Sequence, residues 1–176
     1  MILDSLLQFD PSGTACIPNG TTQNSTNVLD LHMAGIPVLA NLQGARDIGI
    51  GDRPALKLLV LVTTAYTAGG TSLSVTFQGA TDNGAGAPAA FSSWWVSPAY
   101  AVATLVAGVR LMDMDMPRPP AGIAIPRFLR LVYTSVGTLA GGAVGAWIVL
   151  DRDDQYYSST GNAVMGGYPP GITIAN

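Results

Sequence analysis

Between Thr71 and Gln78 the chain alternates strictly. Leu73, Val75 and Phe77 fall on one side of an extended strand and Ser72, Ser74, Thr76 and Gln78 on the other, the period-two pattern of a sheet with one buried face. Arg127 to Val136 repeats it, with Leu129, Leu131 and Tyr133 opposed to Arg130 and Thr134, and Val144, Ala146, Ile148 and Leu150 form the inward set of a last strand. Leu56 to Tyr66 is almost continuously apolar and β-branched, which predicts a central strand covered on both faces. Thr26–Leu31, Phe91–Trp95, Ala99–Val106 and Val109–Asp115 predict shorter strands.

The connections carry turn chemistry. Thr67-Ala68-Gly69-Gly70 predicts a hairpin that makes its two flanking strands antiparallel neighbours, and Gly137 to Gly142 predicts a second one. Ile2–Phe9 reads as a first extended segment or arm, ended by the Asp10-Pro11-Ser12-Gly13 turn, and most of Thr14–Asn27 reads as loop. Met116–Pro120 is Pro-rich and carries the chain across in an extended form. About seven to nine short strands with turns between them predict an all-β fold, a jelly-roll or Greek-key β-sandwich with extended N- and C-terminal arms. The expected organisation is an N-terminal strand or arm and loop over 1–25, a jelly-roll domain over 26–154 and a C-terminal arm over 155–176.

Composition strengthens the β reading. All eleven acids are aspartate, Lys57 is the only lysine, and 21 Gly and 12 Pro are spread along 176 residues. The common solvent-face residues of helices are therefore nearly missing, while helix breakers are abundant. Charged residues make up 11% of the chain against about 25% in an ordinary soluble domain, so much of the surface is expected to be covered. Net charge is −3 with no basic cluster, which argues against a nucleic-acid partner. No stretch has the length of a membrane span, and the N-terminus has neither the basic start nor the apolar run of a signal peptide. No membrane partner and synthesis in a cytosol-like compartment are expected.

Candidate chemistry is thin. His32 has no acid or Cys at ligand spacing, and Cys16 sits alone in a Thr/Asn/Gly loop without the base a nucleophile needs. Asp113 and Asp115 share one face of a strand at a separation that a cation or a carboxylate pair could use, but a solvated strand end beside Arg110 and Arg118 fits better. Asp151–Asp154 reads as an acidic turn, not a calcium loop. The expectation is no enzyme: no catalytic residue, no metal and no cofactor. The candidate interface is apolar and aromatic instead. It comprises Ile2, Leu3, Leu6, Leu7 and Phe9 on the N-terminal segment and Ile36, Val38 and Leu39 in the breaker-rich His32–Ala45 stretch. Trp94 and Trp95 and, on the tail, Tyr156, Tyr157, Tyr168 and Ile172 complete it. An alternative groups Trp94, Trp95, Asp113 and Asp115 into a carbohydrate site.

Several segments carry a resemblance: Met1-Ile2-Leu3-Asp4, Thr26–Leu31, Ala45-Arg46-Asp47-Ile48-Gly49 leading through Gly51 into the Leu56–Val62 strand, Arg127–Thr134, and Ala146–Asp151. On these the chain resembles the capsid cement, or decoration, proteins of tailed phages, of the Bordetella podovirus type. The resemblance implies a jelly roll on the outside of an icosahedral head, made in the bacterial cytoplasm. It further implies contacts with the major capsid protein and with copies of itself, a homodimer at two-fold positions being favoured over a trimer. The 32–44 insertion and the 156–176 tail depart from the family pattern.

Overall fold

A computed structural model describes residues 7–18, 20–31, 56–123, 126–150, 155–157 and 163–165. Two strands organise it, β4 (Leu56–Ala80) and β8 (Phe128–Leu150), which pair antiparallel from Leu56↔Leu150 to Ala80↔Phe128. The remaining strands of the sheet add to the outer edges of this ribbon. On the β8 side lie β1 (Gln8–Ala15), β2 (Thr22–Asn24) and β3 (Leu29–Asp30), and on the β4 side β5 (Ser92–Val96), β6 (Tyr100–Ala101) and β7 (Arg110–Asp115). A small hairpin of β9 (Gln155–Tyr157) and β10 (Ala163–Met165) forms a separate two-stranded sheet.

The ribbon is bent in its middle, so that β4 and β8 each run through two layers. In the first layer the order is β1, the second half of β8, the first half of β4, then β7. In the second it is β2 and β3, the first half of β8, the second half of β4, then β5 and β6. All pairs are antiparallel, and this wrapping of a long ribbon into two four-deep layers is the strand order of a jelly roll. The all-β sandwich expected from the alternating strands is thus the fold.

The bend accounts for the largest difference from expectation. Thr67–Gly70 and Gly137–Gly142 are not hairpins. Leu56–Tyr66 and Thr71–Gln78 are two halves of one strand, as are Arg127–Val136 and Val144–Leu150, and each half finds its partner in the other long strand. Repeated register shifts between Val62 and Ser72 absorb the bend, as bulges do where a strand must turn a corner. Glycine is required there for space and for torsion: Gly69 has φ +103° and a Cβ on it would meet the Thr138 carbonyl oxygen at 2.3 Å. Further along β8, next to Gly141, the partner of Tyr66, Gly142 has φ +91° and lies against the Tyr66 ring.

Inward positions of both layers form one core. Leu58, Val60, Val62, Val144, Ala146 and Ile148 face Leu73, Val75, Phe77, Leu129, Leu131 and Tyr133, and none is more than 1% exposed. The period-two reading therefore chose the buried face correctly over Thr71–Gln78, over Leu129–Tyr133 and over Val144–Ile148. Phe9 and Phe77 meet edge to face across the layers at 6.3 Å.

Three smaller expectations change. The Asp10–Gly13 turn residues are a bulge inside β1, where the register passes from Asp10↔Ala146 to Thr14↔Val144, and an edge strand tolerates Pro11 because that side needs no donor. Gln8–Ala15 and Thr22–Asn24 are accordingly strands of the sheet, both paired with β8. Of Ala99–Val106 only Tyr100–Ala101 is strand, followed by a 3-10 turn at Val102–Thr104. Among the described residues no helix is long and apolar enough to cross a membrane.

Gly69→Ala is expected to lower stability by about 1–3 kcal/mol or more, read as a lower urea midpoint. Gly84→Ala, with φ +88° but nothing within 4 Å of the new Cβ, should lose less; equal losses would show that the bend does not depend on close approach.

Candidate functional site

Between the layers lies a small polar cluster. Asp10, 1% exposed, accepts a hydrogen bond from the Tyr133 hydroxyl at 2.6 Å and another from the Thr26 backbone N–H at 2.8 Å. These bonds tie β1 in the first layer to β8 in the second and to the β2–β3 connection. Nearby, the Tyr66 hydroxyl is buried without a well-formed hydrogen bond, beside the wholly buried Cys16 thiol. Burial pushes the Cys16 thiol up to about 12, with the Asp10 carboxylate adding to it against a lowering contact from Tyr66. Burial, then the neighbouring charges, also carries Tyr66 and Tyr133 well above the ordinary tyrosine range. A protonated thiol closed off from solvent is not a nucleophile.

The tryptophan pair sits in a β-bulge. Register passes from Phe77↔Trp95 to Gln78↔Ser93, which leaves Trp94 as the extra residue. The Trp94 ring stands edge-on to Phe77 at 5.6 Å, fills the space over Gly79, and donates its Nε1–H to Ser92 Oγ at 3.1 Å. Both indoles are partly buried against the chain's own core. Beside Trp94 opens a half-open cavity of about 280 Å³ lined by Gly79, Ala80, Thr81, Ala90, Ser92, Trp94, Gly122, Ile123 and Pro126.

Asp113 and Asp115 pair across from Leu59 and Lys57 on one face of β7, as expected, but Asp113 forms an ion pair with Arg110. That strand joins the first half of β4, while β5 joins its second half beyond the bend. The carboxylates and the tryptophans thus lie in different layers, and the grouping expected for a carbohydrate site is not assembled.

At one end of the sandwich Arg127 holds two segments together. Its Nε and Nη2 donate to the two oxygens of Asp30 at 2.8 Å each, and its Nη1 pairs with Asp82. Asp82 Oδ1 in turn accepts the backbone N–H groups of Gly84 and Gly86 at 2.7 and 3.0 Å, fixing the loop after β4. The sequence offered no signal for this junction, because its members are far apart along the chain.

Of the expected interface residues, Phe9 is corrected: it is 0% exposed, a core residue whose ring spans the two layers. Leu7, Trp94 and Trp95 pack against that core while remaining partly exposed. Tyr156 and Tyr157 lie on β9, paired with Val164 and Ala163. Ile2, Leu3, Leu6, Ile36, Val38, Leu39, Tyr168 and Ile172 lie outside the described residues, as do His32 and the Asp151–Asp154 turn.

The two outward faces differ. On the first layer Leu59, Trp147 and Val149 form a second apolar cluster, 2%, 5% and 0% exposed, with the Trp147 indole lying over Gly145. On the second layer the outward Ser72, Ser74, Thr76 and Thr134 stay partly open, and hydroxyl residues carry none of the aromatic signal of an interface. The profile of the Bbp16 family matches residues 19–148, a span that takes in strands of both layers. The chain belongs to the Bbp16 family. That family's name points to a Bordetella phage protein. No curated protein matches the chain. The Bbp16 match begins after β1 and stops within β8, so the first strand and the tail are outside it.

Tyr133→Phe leaves Asp10 with one of its two bonds in a dry site and is expected to cost about 1–3 kcal/mol, measured by urea unfolding. The raised thiol and phenol values carry a sign. Cys16 ionises near 9.0 when unfolded and near 12 when folded, so stability is complete below pH 9 and falls as pH rises toward 12. The tyrosines extend the loss from pH 10 upward. Cys16→Ala should delay the onset of alkaline destabilisation from about pH 9 to about pH 10; an unchanged onset would show that the thiol is not the group responsible.

Proposed function

We propose that this chain is a cement protein of a phage head, bound to the outer face of the assembled shell and stabilising contacts between major capsid protein subunits. Membership of the phage-associated Bbp16 family over residues 19–148 carries the reading. The structure supports it physically: a closed jelly roll, poor in charge, whose single cysteine is sealed in the core. Such a subunit acts by mass action, since binding the assembled shell and not free capsid protein lowers the free energy of the shell alone. The same reading makes the chain non-catalytic and places it on the virion exterior after synthesis in the bacterial cytoplasm. Its partners are then the major capsid protein and further copies of itself, as a homodimer or, less favoured, a trimer. A carbohydrate-binding module is the weaker reading, because Trp94 and Trp95 serve the core and Asp113 serves Arg110.

Heads assembled without this subunit are expected to release their contents at a lower temperature than heads that carry it. Adding the purified chain back should restore the higher value in a concentration-dependent way. Equal thermal stability of the two kinds of head would remove the proposal.

A further inference from the structure

The pairing of β4 with β8 brings a set of residues together that no single segment reveals. Outward from the second layer stand Ser72, Ser74, Thr76 and Gln78 on β4, opposite Val136, Thr134, Val132 and Arg130 on β8. The rows extend sideways to Val96 on β5 and Ala101 on β6, and to Thr22 and Asn24 on β2. Across these rows there is no carboxylate and no lysine. Arg130, at one end, donates to Gln78 Oε1 at 2.8 Å and stacks its guanidinium on the Phe91 ring at 3.8 Å.

Exposure points to the same place. Val136 at 61% and Val96 at 56% are the two most exposed large apolar residues among those described, and both stand on this face. The outward side of the first layer is the opposite case. Its apolar positions Leu59, Trp147 and Val149 are already closed off, and its β7 edge carries Arg110, Asp113 and Asp115 opposite Leu61, Leu59 and Lys57.

We propose that the carboxylate-free outward face of the second layer, centred on Ser74, Thr76 and Thr134 between Val96 and Val136 and with Arg130 at its margin, is the surface that seats on the capsid shell. This rests on the cement reading and adds to it which side of the jelly roll is bound. The physical reason is desolvation. Removing water from a charged side chain is costly without a matched partner, whereas hydroxyls exchange water for protein hydrogen bonds at little net cost and exposed valines gain from being covered. Interface centres are depleted in charge for this reason. The complementary partner is a protein surface that is itself poor in charge, so that neither side buries an unpaired ion.

Co-sedimentation of the full chain with heads lacking this subunit tests it. Ser74→Lys and Thr134→Glu, each made alone, are expected to weaken binding at least tenfold, while Val106→Lys, an equally exposed apolar position in the turn before β7, should bind as the native chain does. An unchanged urea midpoint and a Cys16 thiol still closed to reagents establish that each variant is folded, and Thr76→Lys replaces either one that is not. Native affinity in the face variants would overturn the assignment of this face and leave the cement reading standing. Failure of the native chain itself to sediment with heads would overturn both. Retention on a glycan array that Ser74→Lys abolishes would give the face to a sugar and overturn its assignment to the shell.

Discussion

The ladder between β4 and β8 has to survive a fold of its own ribbon, and the rest of the molecule depends on how it does so. Two strands of 25 and 23 residues stay paired from end to end while turning back to face themselves. A regular ladder resists such a bend, because side chains on the inside of the corner collide and the hydrogen-bond register is lost. Here the corner is made of glycine where the two backbones approach most closely, with the Thr138 carbonyl against Gly69 and the Tyr66 ring against Gly142. Once the ribbon is bent, the inward faces of its two halves become the two walls of one core. The edge strands then add to a scaffold that already has both layers.

The polar tie between Asp10 and Tyr133 depends on that bend. It links β1, at the edge of one layer, to a strand in the other, so the two groups meet only when the layers are closed. A carboxylate buried with these two hydrogen bonds is tolerated because both are short, the phenol being held on β8 and the Thr26 amide in the connection between β2 and β3.

The proposed role draws on what this closure leaves outside. Aromatic residues, the usual anchors of a contact, are largely drawn into the fold: Trp94 over Gly79, Trp147 over Gly145, Phe9 against Phe77. What remains outward on the second layer is a surface of hydroxyls and valines, with Arg130 at one end. On the proposed cement reading such a face suits adhesion, since many weak uncharged contacts add over area without the cost of burying ions.

Much of this was legible in the sequence. Alternation at Thr71–Gln78 and Arg127–Val136 fixed which side chains are buried, because a strand has a period of two whatever its neighbours are. Glycine, proline and the lack of Glu and Lys excluded helices through backbone torsion and propensity alone. What the sequence could not determine is which strand pairs with which. A glycine pair between two apolar runs is compatible with a hairpin and with a bend, and the local torsions are similar; only the presence of β8 along the whole length of β4 decides for the bend. The same holds for Phe9, which is apolar on an arm or in a core, and for Trp94, whose direction was set by a bulge opposite Phe77. The carboxylate-free outward face belongs to this second class. Ser74 and Thr134 are 60 residues apart, and they become one surface only because tertiary pairing places them side by side.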